Sequence, residues 1–251
     1  MIRTLCCLPL LVAAAAAGAQ PAAPTLPAGD TILARVDANI GSRNKVIEAE
    51  MIIHGRRGTR TVESRSWIEG NRRGFTEYLA PPRERGTKML KLEDELWTYT
   101  PDTDRTIRIS GHMLRQSVMG SDLSYEDLME DSRLAQLYTA ATAGVDTLLG
   151  RACWILELES RGEDIAYASR RVWVDQEHHV LLREERFAIS GMLLKTTEVR
   201  SVREVDGRWV ADHIVFRDAL GKGDGTEFLL KSVDFDVDIP AATFSKAALR
   251  R

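Results

Sequence analysis

The sequence predicts an α+β fold that is mostly antiparallel β-structure and begins with one helix. Apolar and polar residues alternate in eleven short segments between residues 46 and 237, as in half-buried strands. Turn signals such as Pro101-Asp102 and Asp206-Gly207 separate these segments at short intervals. Because neighbouring strands joined by short turns pair antiparallel, the pattern excludes a doubly wound parallel sheet.

The N-terminus has the features of a secretory signal peptide. Arg3 is followed by an uncharged run, residues 4–17, and then by Ala17-Gly18-Ala19, an A-x-A cleavage site. We therefore expect residues 1–19 to be removed, so that the mature chain begins at Gln20. The apolar run is shorter than the ~20 residues of a membrane-spanning helix. The predicted mature protein is soluble in the periplasm, and N-terminal sequencing would check its first residue.

The cysteine positions argue against a lipid anchor and against a disulfide. Cys6 and Cys7 precede the apolar run, whereas lipid attachment needs a cysteine where Gln20 stands. Cleavage leaves Cys153 as the one cysteine of the mature chain, so no internal disulfide can form in the oxidising compartment. A buried, inert thiol is the expected role of Cys153.

The charge of the chain argues against a nucleic-acid partner. The net charge is −3, which the loss of Arg3 with the leader lowers by one to −4, and no polybasic patch is present. Residues 20–29 are rich in Pro, Ala and Gly and are predicted to be a flexible leader. Residues 30–251 then form the folded domain.

One amphipathic helix is predicted at the start of this domain. Asp30 is suited to the N-cap, and Gly41 closes the segment. Between them, apolar residues recur at helical spacing: Ile32, Leu33, Val36 and Ile40.

The strands follow the helix. They are predicted at residues 46–53, 60–68, 75–79, 96–100, 106–110, 154–160, 169–174, 180–187, 192–202, 209–216 and 227–237. Residues 111–133 lack the alternation and are predicted to be helical in two pieces. Ser124 and Asp127 fit a capping box at the start of the second piece.

Histidine and serine motifs give little support for catalysis. The five histidines are His54, His112, His178, His179 and His213, and none of them forms H-x-x-H or H-E-x-x-H. Ser121 follows Gly120, but G-x-S-x-G is absent and no strand leads directly into it. A periplasmic hydrolase that uses Ser121 or the acidic residues between 122 and 131 is kept as an alternative.

Acidic residues cluster in the second helical piece. The cluster consists of Asp122, Glu126, Asp127, Glu130 and Asp131. Its spacing differs from that of an EF-hand loop, so a solvated helix face is favoured over a cation site.

An apolar face is predicted on the hairpin that Pro101-Asp102 joins. Trp97 and Tyr99 share one parity, and Ile107 and Ile109 are predicted to fall on the same face across the turn. That face would cover either an ordinary core or a ligand cavity.

Methionines favour the cavity because their unbranched side chains adapt to ligands of varied shape. Met113, Met119 and Met129 lie in residues 111–133, which we interpret as a movable cover with Gly111 and Gly120 as hinges. A rigid helical pair that completes the core is the alternative.

Three motifs are informative about the family: Glu95-Leu-Trp-Thr-Tyr-Thr-Pro101, Arg105-Thr-Ile-Arg-Ile109 and Ser117-Val-Met-Gly-Ser-Asp-Leu-Ser-Tyr-Glu-Asp127. They resemble the outer-membrane lipoprotein-sorting proteins of the LolA-like superfamily. The third is the most specific. A looser similarity extends over most of the mature chain, through Trp173-Val-Asp175, Gly191, Phe244 and Leu249.

The resemblance implies a curved antiparallel sheet that forms an incomplete β-barrel around helices, with acyl chains held between them. It implies a non-enzymatic periplasmic carrier of lipids or lipoproteins without a cofactor, served by an inner-membrane transporter and an outer-membrane acceptor. The residues predicted to line the cavity and its cover are Trp97, Tyr99, Ile107, Ile109, Met113, Met119, Tyr125 and Leu128. An envelope protein-interaction module without lipid is the second alternative.

Overall fold

The computed structural model describes residues 26–55, 58–130, 133–162, 165–221 and 223–251. The predicted signal peptide, residues 1–19, and residues 20–25 of the predicted leader lie outside these ranges.

Thirteen strands of the described chain form one antiparallel sheet. Its spatial order is β6-β5-β4-β3-β2-β1-β13-β12-β11-β10-β9-β8-β7, so that β1 pairs with β13 in the middle and β6 and β7 form the two edges. The strands are β1 (Asn44–Gly55), β2 (Gly58–Glu69), β3 (Arg73–Ala80), β4 (Lys88–Leu92), β5 (Glu95–Thr100), β6 (Arg105–Ile109), β7 (Tyr138–Leu148), β8 (Arg151–Ser160), β9 (Ser169–Asp175), β10 (Leu181–Phe187), β11 (Leu193–Val205), β12 (Arg208–Asp218) and β13 (Thr226–Phe235). The sheet is curved and does not close, which confirms the predicted α+β fold with an incomplete barrel.

Each of the eleven predicted strands corresponds to an observed one, and two strands were missed. These are β4 and β7. The edge strand β7 is rich in Ala, Thr and Gly and has few large apolar side chains, so its alternation is weak. In β4, three of the five residues are buried or apolar in succession, and this run lacks a period of two.

The first helix, α1 (Gly29–Ile40), ends before Gly41 as predicted, but its predicted N-cap is wrong. Ala28 occupies the N-cap position and Asp30 lies in the first turn. The Asp30 carboxylate instead accepts a hydrogen bond of 2.8 Å from the backbone N–H of Ala140 in β7. The side chain is thus used to hold the helix to the sheet edge.

The buried face of α1 packs on one half of the sheet. Ile32, Leu33 and Val36 are almost fully buried against β7, β8 and β9. The sheet contributes Tyr138, Leu156, Leu158, Val172 and Val174 to this cluster. A short helix, α3 (Leu134–Leu137), packs beside α1.

Residues 111–130 cover the other half of the same face. They contain two 3₁₀ helices, Gly111–Arg115 and Val118–Gly120, and the short helix α2 (Tyr125–Met129). The predicted capping box of Ser124 and Asp127 is confirmed. Apolar side chains of this segment pack on a cluster from β1 to β6 that includes Met51, Val62 and Tyr78.

The predicted common face of the β5–β6 hairpin is wrong. Leu96 pairs with Ile109, Trp97 with Arg108 and Thr98 with Ile107. Residues 101–104 connect the strands, and an even number of connecting residues places odd positions of β5 opposite even positions of β6. A common face for Trp97 and Ile107 would have required an odd number of connecting residues.

Trp97 and Tyr99 therefore lie on the opposite face of the sheet from Ile109. There they pack against a C-terminal segment made of two 3₁₀ helices, Ala241–Phe244 and Lys246–Arg250. The Nζ atom of Lys246 lies 3.8 Å from the centre of the Trp97 ring. A further 3₁₀ turn, Pro101–Thr103, closes the hairpin. No helix of the described ranges is long and apolar enough to cross a membrane.

Candidate functional site

A cavity of about 280 Å³ opens on the helix-bearing face of the sheet, at the C-terminal end of α2. Its apolar lining comes from Ile68, Met89 and Leu96 of the sheet and from Leu128 of α2. Ligand pockets for small molecules usually measure about 300–1,000 Å³, so the volume of this cavity lies just below that range. It has room for part of an extended apolar chain.

Polar groups surround this apolar lining. Lys91 donates hydrogen bonds from Nζ to the carbonyl oxygens of Leu128 and Met129, at 3.3 and 3.0 Å. Since these carbonyls lie at the C-terminal end of α2, the ammonium group also matches the negative end of the helix. The lining also contains three further charged residues, Lys45 of β1, Arg73 of β3 and Glu130 after α2.

Of the eight predicted cavity residues, Leu128 lines this cavity. Four others lie in the adjoining apolar cluster beneath residues 111–130: Ile109, Met113, Met119 and Tyr125. Ile107 is 45% exposed. Trp97 and Tyr99 belong to the cluster on the other face of the sheet.

Sequence reasoning missed Ile68, Met89 and Leu96 as cavity residues. Leu96 has the parity opposite to that of Trp97 and Tyr99, which were predicted to face the cavity, and Met89 lies in the strand that was not predicted. Ile68 ends a predicted strand and has the parity of Val62, which is buried in the same apolar cluster as Met89 and Leu96. That parity was the available signal for Ile68.

A buried ionic network joins the end of α2 to the far half of the sheet. Arg170 of β9 is 1% exposed, and its guanidinium donates to Glu184 of β10 at 2.5 Å and to Glu130. The guanidinium carbon also lies 4.7 Å from the ring centre of Tyr138 and 5.3 Å from that of Tyr167. Because removing a charge from water costs roughly several kcal/mol, a guanidinium buried this deeply requires carboxylate and aromatic partners.

Asp127 of α2 belongs to the same network. Its carboxylate accepts hydrogen bonds from Tyr167 Oη at 2.6 Å, from Arg186 at 3.0 Å and from Lys195 Nζ. The predicted solvated face is thus wrong for Asp127, whose side chain is 4% exposed.

Two carboxylates of this network, those of Asp127 and Glu184, have lowered pKa values. Burial raises the pKa of Asp127, but Lys195, the hydrogen bond from Tyr167 and the charge of Arg186 outweigh burial and lower it to about 2. Burial likewise raises the pKa of Glu184, and the charges of Arg186 and Arg170 outweigh burial and lower it to about 2. Both groups are therefore ionised at neutral pH.

Asp122 binds the loop before α2 to strands β12 and β13 of the sheet. Its carboxylate accepts from the Thr226 hydroxyl at 2.7 Å and from the backbone N–H of Asp218 at 3.0 Å. Asp122 and Asp127 of the third motif thus bind separate partners on the sheet. In the described part of the chain, no group of three His, Cys, Asp or Glu side chains is arranged to hold a metal ion. Asp131 lies outside the described residues.

Ser121 has the contacts of a turn residue. Its Oγ accepts from the backbone N–H of Leu123 at 3.2 Å and lies 3.4 Å from the carbonyl oxygen of the same residue. No histidine of the described residues hydrogen-bonds to it. This arrangement gives the hydrolase alternative no support.

Two histidines form a cluster that the sequence motifs did not reveal. His54 Nε2 lies 2.8 Å from one carboxylate oxygen of Glu227, and His213 Nε2 lies 2.7 Å from the other. Hydrogen bonds from both histidines lower the pKa of Glu227. Glu227 pairs with Ile52 and Val215, so the cluster faces away from Ile53 and from the cavity.

The predicted movable cover, residues 111–133, consists of two differently attached parts. Residues 117–130 are bound to the sheet through Asp122, Asp127 and Glu130. The Gly111–Arg115 helix makes apolar contact through Met113 and Leu114. The mobility of residues 111–133 stays a prediction.

Comparison with known proteins supports the fold. A protein-family model described as "-like: Uncharacterized protein" matches residues 70–251. No curated protein sequence matches the chain.

Three solved structures are similar over most of the chain. The first, described as an outer membrane lipoprotein-sorting protein domain from Vibrio parahaemolyticus, is 24% identical with a TM-score of 0.78, over 89% of this chain and 98% of that one. A DUF1329 family protein from Desulfovibrio piger is 24% identical with a TM-score of 0.80, over 88% and 97%. A LolA superfamily protein from Nitrosomonas europaea is 20% identical with a TM-score of 0.73, over 89% and 100%. The fold is LolA-like.

Proposed function

We propose that this chain, which belongs to the family of uncharacterized proteins matched over residues 70–251 and has a LolA-like fold, is a non-enzymatic lipid carrier. The observation that supports this is the open apolar cavity between the sheet and α2. The cavity would hold acyl chains of a lipid or lipoprotein on their way to the outer membrane. A signal peptide at residues 1–19 would place the carrier in the periplasm.

Burial of an acyl chain supplies enough free energy for such a carrier. Each methylene group removed from water contributes about 0.8 kcal/mol, so a dozen contribute on the order of 10 kcal/mol before the costs of binding. The present cavity is small for a whole lipid. A longer chain would extend into the methionine-rich cluster, where Met113 and Met119 can repack around it.

Loading and release require an opening in the cover. The Gly111–Arg115 helix is the best candidate because apolar contacts hold it and Gly111 has a positive φ of 56°. An inner-membrane transporter and an outer-membrane acceptor would supply and receive the cargo, and no cofactor is needed for transfer.

A cavity-filling variant tests the proposal. Gly74 of β3 lines the cavity, and a Cβ atom there would lie 3.9 Å from Cβ of Lys91, an ordinary contact. Gly74→Leu should therefore fill the cavity with little change of the backbone. The full chain is exported, purified from the periplasm without detergent, extracted with organic solvent and examined by mass spectrometry.

The expected result is acyl lipid in the wild-type protein and several-fold less, per mole of protein, in Gly74→Leu. Gly144→Leu in β7 is the matched control because a Cβ there meets no atom of the described residues within 4 Å. It should carry as much lipid as the wild type. Equal lipid in Gly74→Leu would exclude this cavity as the site, and lipid-free wild-type protein in repeated preparations would favour the interaction module.

A further inference from the structure

Lys45 lies at the end of the apolar cavity without an acidic partner. It stands in β1 opposite Ile68 of β2 and Phe235 of β13, and it lines the cavity. No described residue forms a hydrogen bond or an ion pair with its ammonium group. Such a largely buried cation costs free energy unless an anion approaches it.

Arg208 places a second positive charge beside Lys45. Its guanidinium carbon lies 4.5 Å from the ring centre of Phe235, the residue opposite Lys45. One terminal nitrogen, Nη2, donates to Asp236 at 2.8 Å, while the other, Nη1, is buried without a hydrogen-bond partner among the described residues. Burial and the charge of Arg208 lower the pKa of Lys45, as expected for a partly buried cation with a second positive charge nearby.

The rest of the cavity lining does not neutralise these cations. Among the described residues that line it, Lys45, Arg73 and Lys91 are basic and Glu130 is acidic. The Glu130 carboxylate is already bound to the buried Arg170. The apolar cavity is thus positively charged at one end, which suits a molecule with an apolar chain and an anionic group.

We propose that Lys45 and Arg208 bind the carboxylate or phosphate group of an anionic amphiphile whose acyl chain occupies the cavity. This inference rests on the proposed carrier function and narrows its cargo to anionic lipids. Neutral amphiphiles of the same chain length bind more weakly because they leave Lys45 without an anion and Nη1 of Arg208 without an acceptor. The two cations also orient the ligand, with its charged group toward β1 and β13 and its chain toward Leu96.

Binding of four probes to delipidated protein tests the inference. The probes are dodecanoate, dodecyl phosphate, dodecanol and inorganic phosphate, measured by isothermal titration calorimetry below the concentrations at which the amphiphiles aggregate. Both dodecyl anions should bind at least tenfold more tightly than dodecanol and than inorganic phosphate. The stronger of the two anions identifies a carboxylate or a phosphate as the source of the charge.

Two variants locate the effect. Lys45→Met and Arg208→Met should each reduce the preference for the anions over dodecanol by tenfold or more and leave dodecanol binding within twofold. Lys231→Met is the control because that lysine is exposed and paired with Glu50. It should keep the preference.

The outcomes separate the two proposals. Equal binding of dodecanol and the anions to the wild type overturns the anion site but leaves the carrier intact. If none of the dodecyl probes binds, the proposed carrier function is overturned. If inorganic phosphate binds as tightly as dodecyl phosphate, the acyl chain adds nothing to binding and the proposal of an amphiphilic ligand is overturned. If a variant does not fold, salt titration of the wild type decides: the anions should lose affinity as salt rises while dodecanol does not, and equal salt dependence contradicts the inference.

Discussion

The two covers on the helix-bearing face are held to the sheet by different forces. The α1 cover packs through Ile32, Leu33 and Val36, which are buried among apolar side chains of β7, β8 and β9. Residues 117–130 also pack on apolar side chains of the sheet, but charged groups bind them to it in addition, through Asp122, Asp127 and Glu130. The cavity lies under the second cover.

This difference shows how one sheet can combine a sealed core with an open cavity. Apolar packing is non-directional and stabilises best when no space remains, as under α1. Buried ion pairs fix a segment at a few points and tolerate space beside them. The ionic attachment therefore lets α2 stand over a cavity without collapsing into it.

The largest effect is expected from the centre of the ionic network. Arg170→Met leaves the carboxylates of Glu184 and Glu130 buried without their guanidinium partner. The free energy of unfolding, measured by denaturant titration, should fall by about 3–5 kcal/mol. Arg171→Met, which removes an exposed pair with Glu157, is the control and should cost about 0–1 kcal/mol. Similar losses in both variants would contradict the role of the network.

A substitution in α1 should have a comparable or smaller effect of a different kind. Leu33 is fully buried, so Leu33→Ala should lower the free energy of unfolding by roughly 2–5 kcal/mol through lost transfer energy and the cavity that remains. Because the side chain carries no charge, this loss should be the same at pH 4 and pH 7. A loss that changes with pH would mean that the α1 cover also depends on ionised groups.

Acid should weaken the second cover. The pKa values of Asp127 and Glu184 are lowered to about 2, so both carboxylates stabilise the fold above their unfolded pKa of about 4. That contribution is lost as pH falls from about 4 to 2. Asp127→Asn should therefore make the decline of stability shallower in this window. Asp102→Asn, at an exposed hairpin tip, is the control and should leave the dependence of stability on pH unchanged. If the stability of Asp127→Asn declines as steeply as that of the wild type, Asp127 does not contribute to the acid sensitivity.

The smallest energetic difference is expected within the second cover itself. Amides in the Gly111–Arg115 helix should exchange hydrogen faster than those of Val118 and Tyr125, whose N–H groups bond to Leu123 and Gln116. Bound lipid should slow exchange in this helix and change the strands little. Exchange as slow as that of the sheet in both states would make this helix part of a rigid core.

The sequence pattern located the elements better than it located the site. Alternation and turn residues predicted most of the strands, and Ser124 with Asp127 predicted the capping box. The same pattern assigned Trp97 and Ile107 to one face, because it did not reveal that four residues connect β5 and β6. It also made Asp127 a solvated residue, since its partners Arg186 and Lys195 lie some sixty residues later in the chain.

Local sequence by itself determined the antiparallel strands, the first helix and the LolA-like motifs, because periodicity, caps and turns act over a few residues. The tertiary structure alone decided that Asp122, Asp127 and Glu130 anchor a cover. It also decided that Lys45 lines the end of a cavity and that Arg208 lies on Phe235, the residue opposite Lys45. These contacts join strands that are distant in sequence. They depend on the sheet order that brings β1 beside β13, and no short segment contains that information.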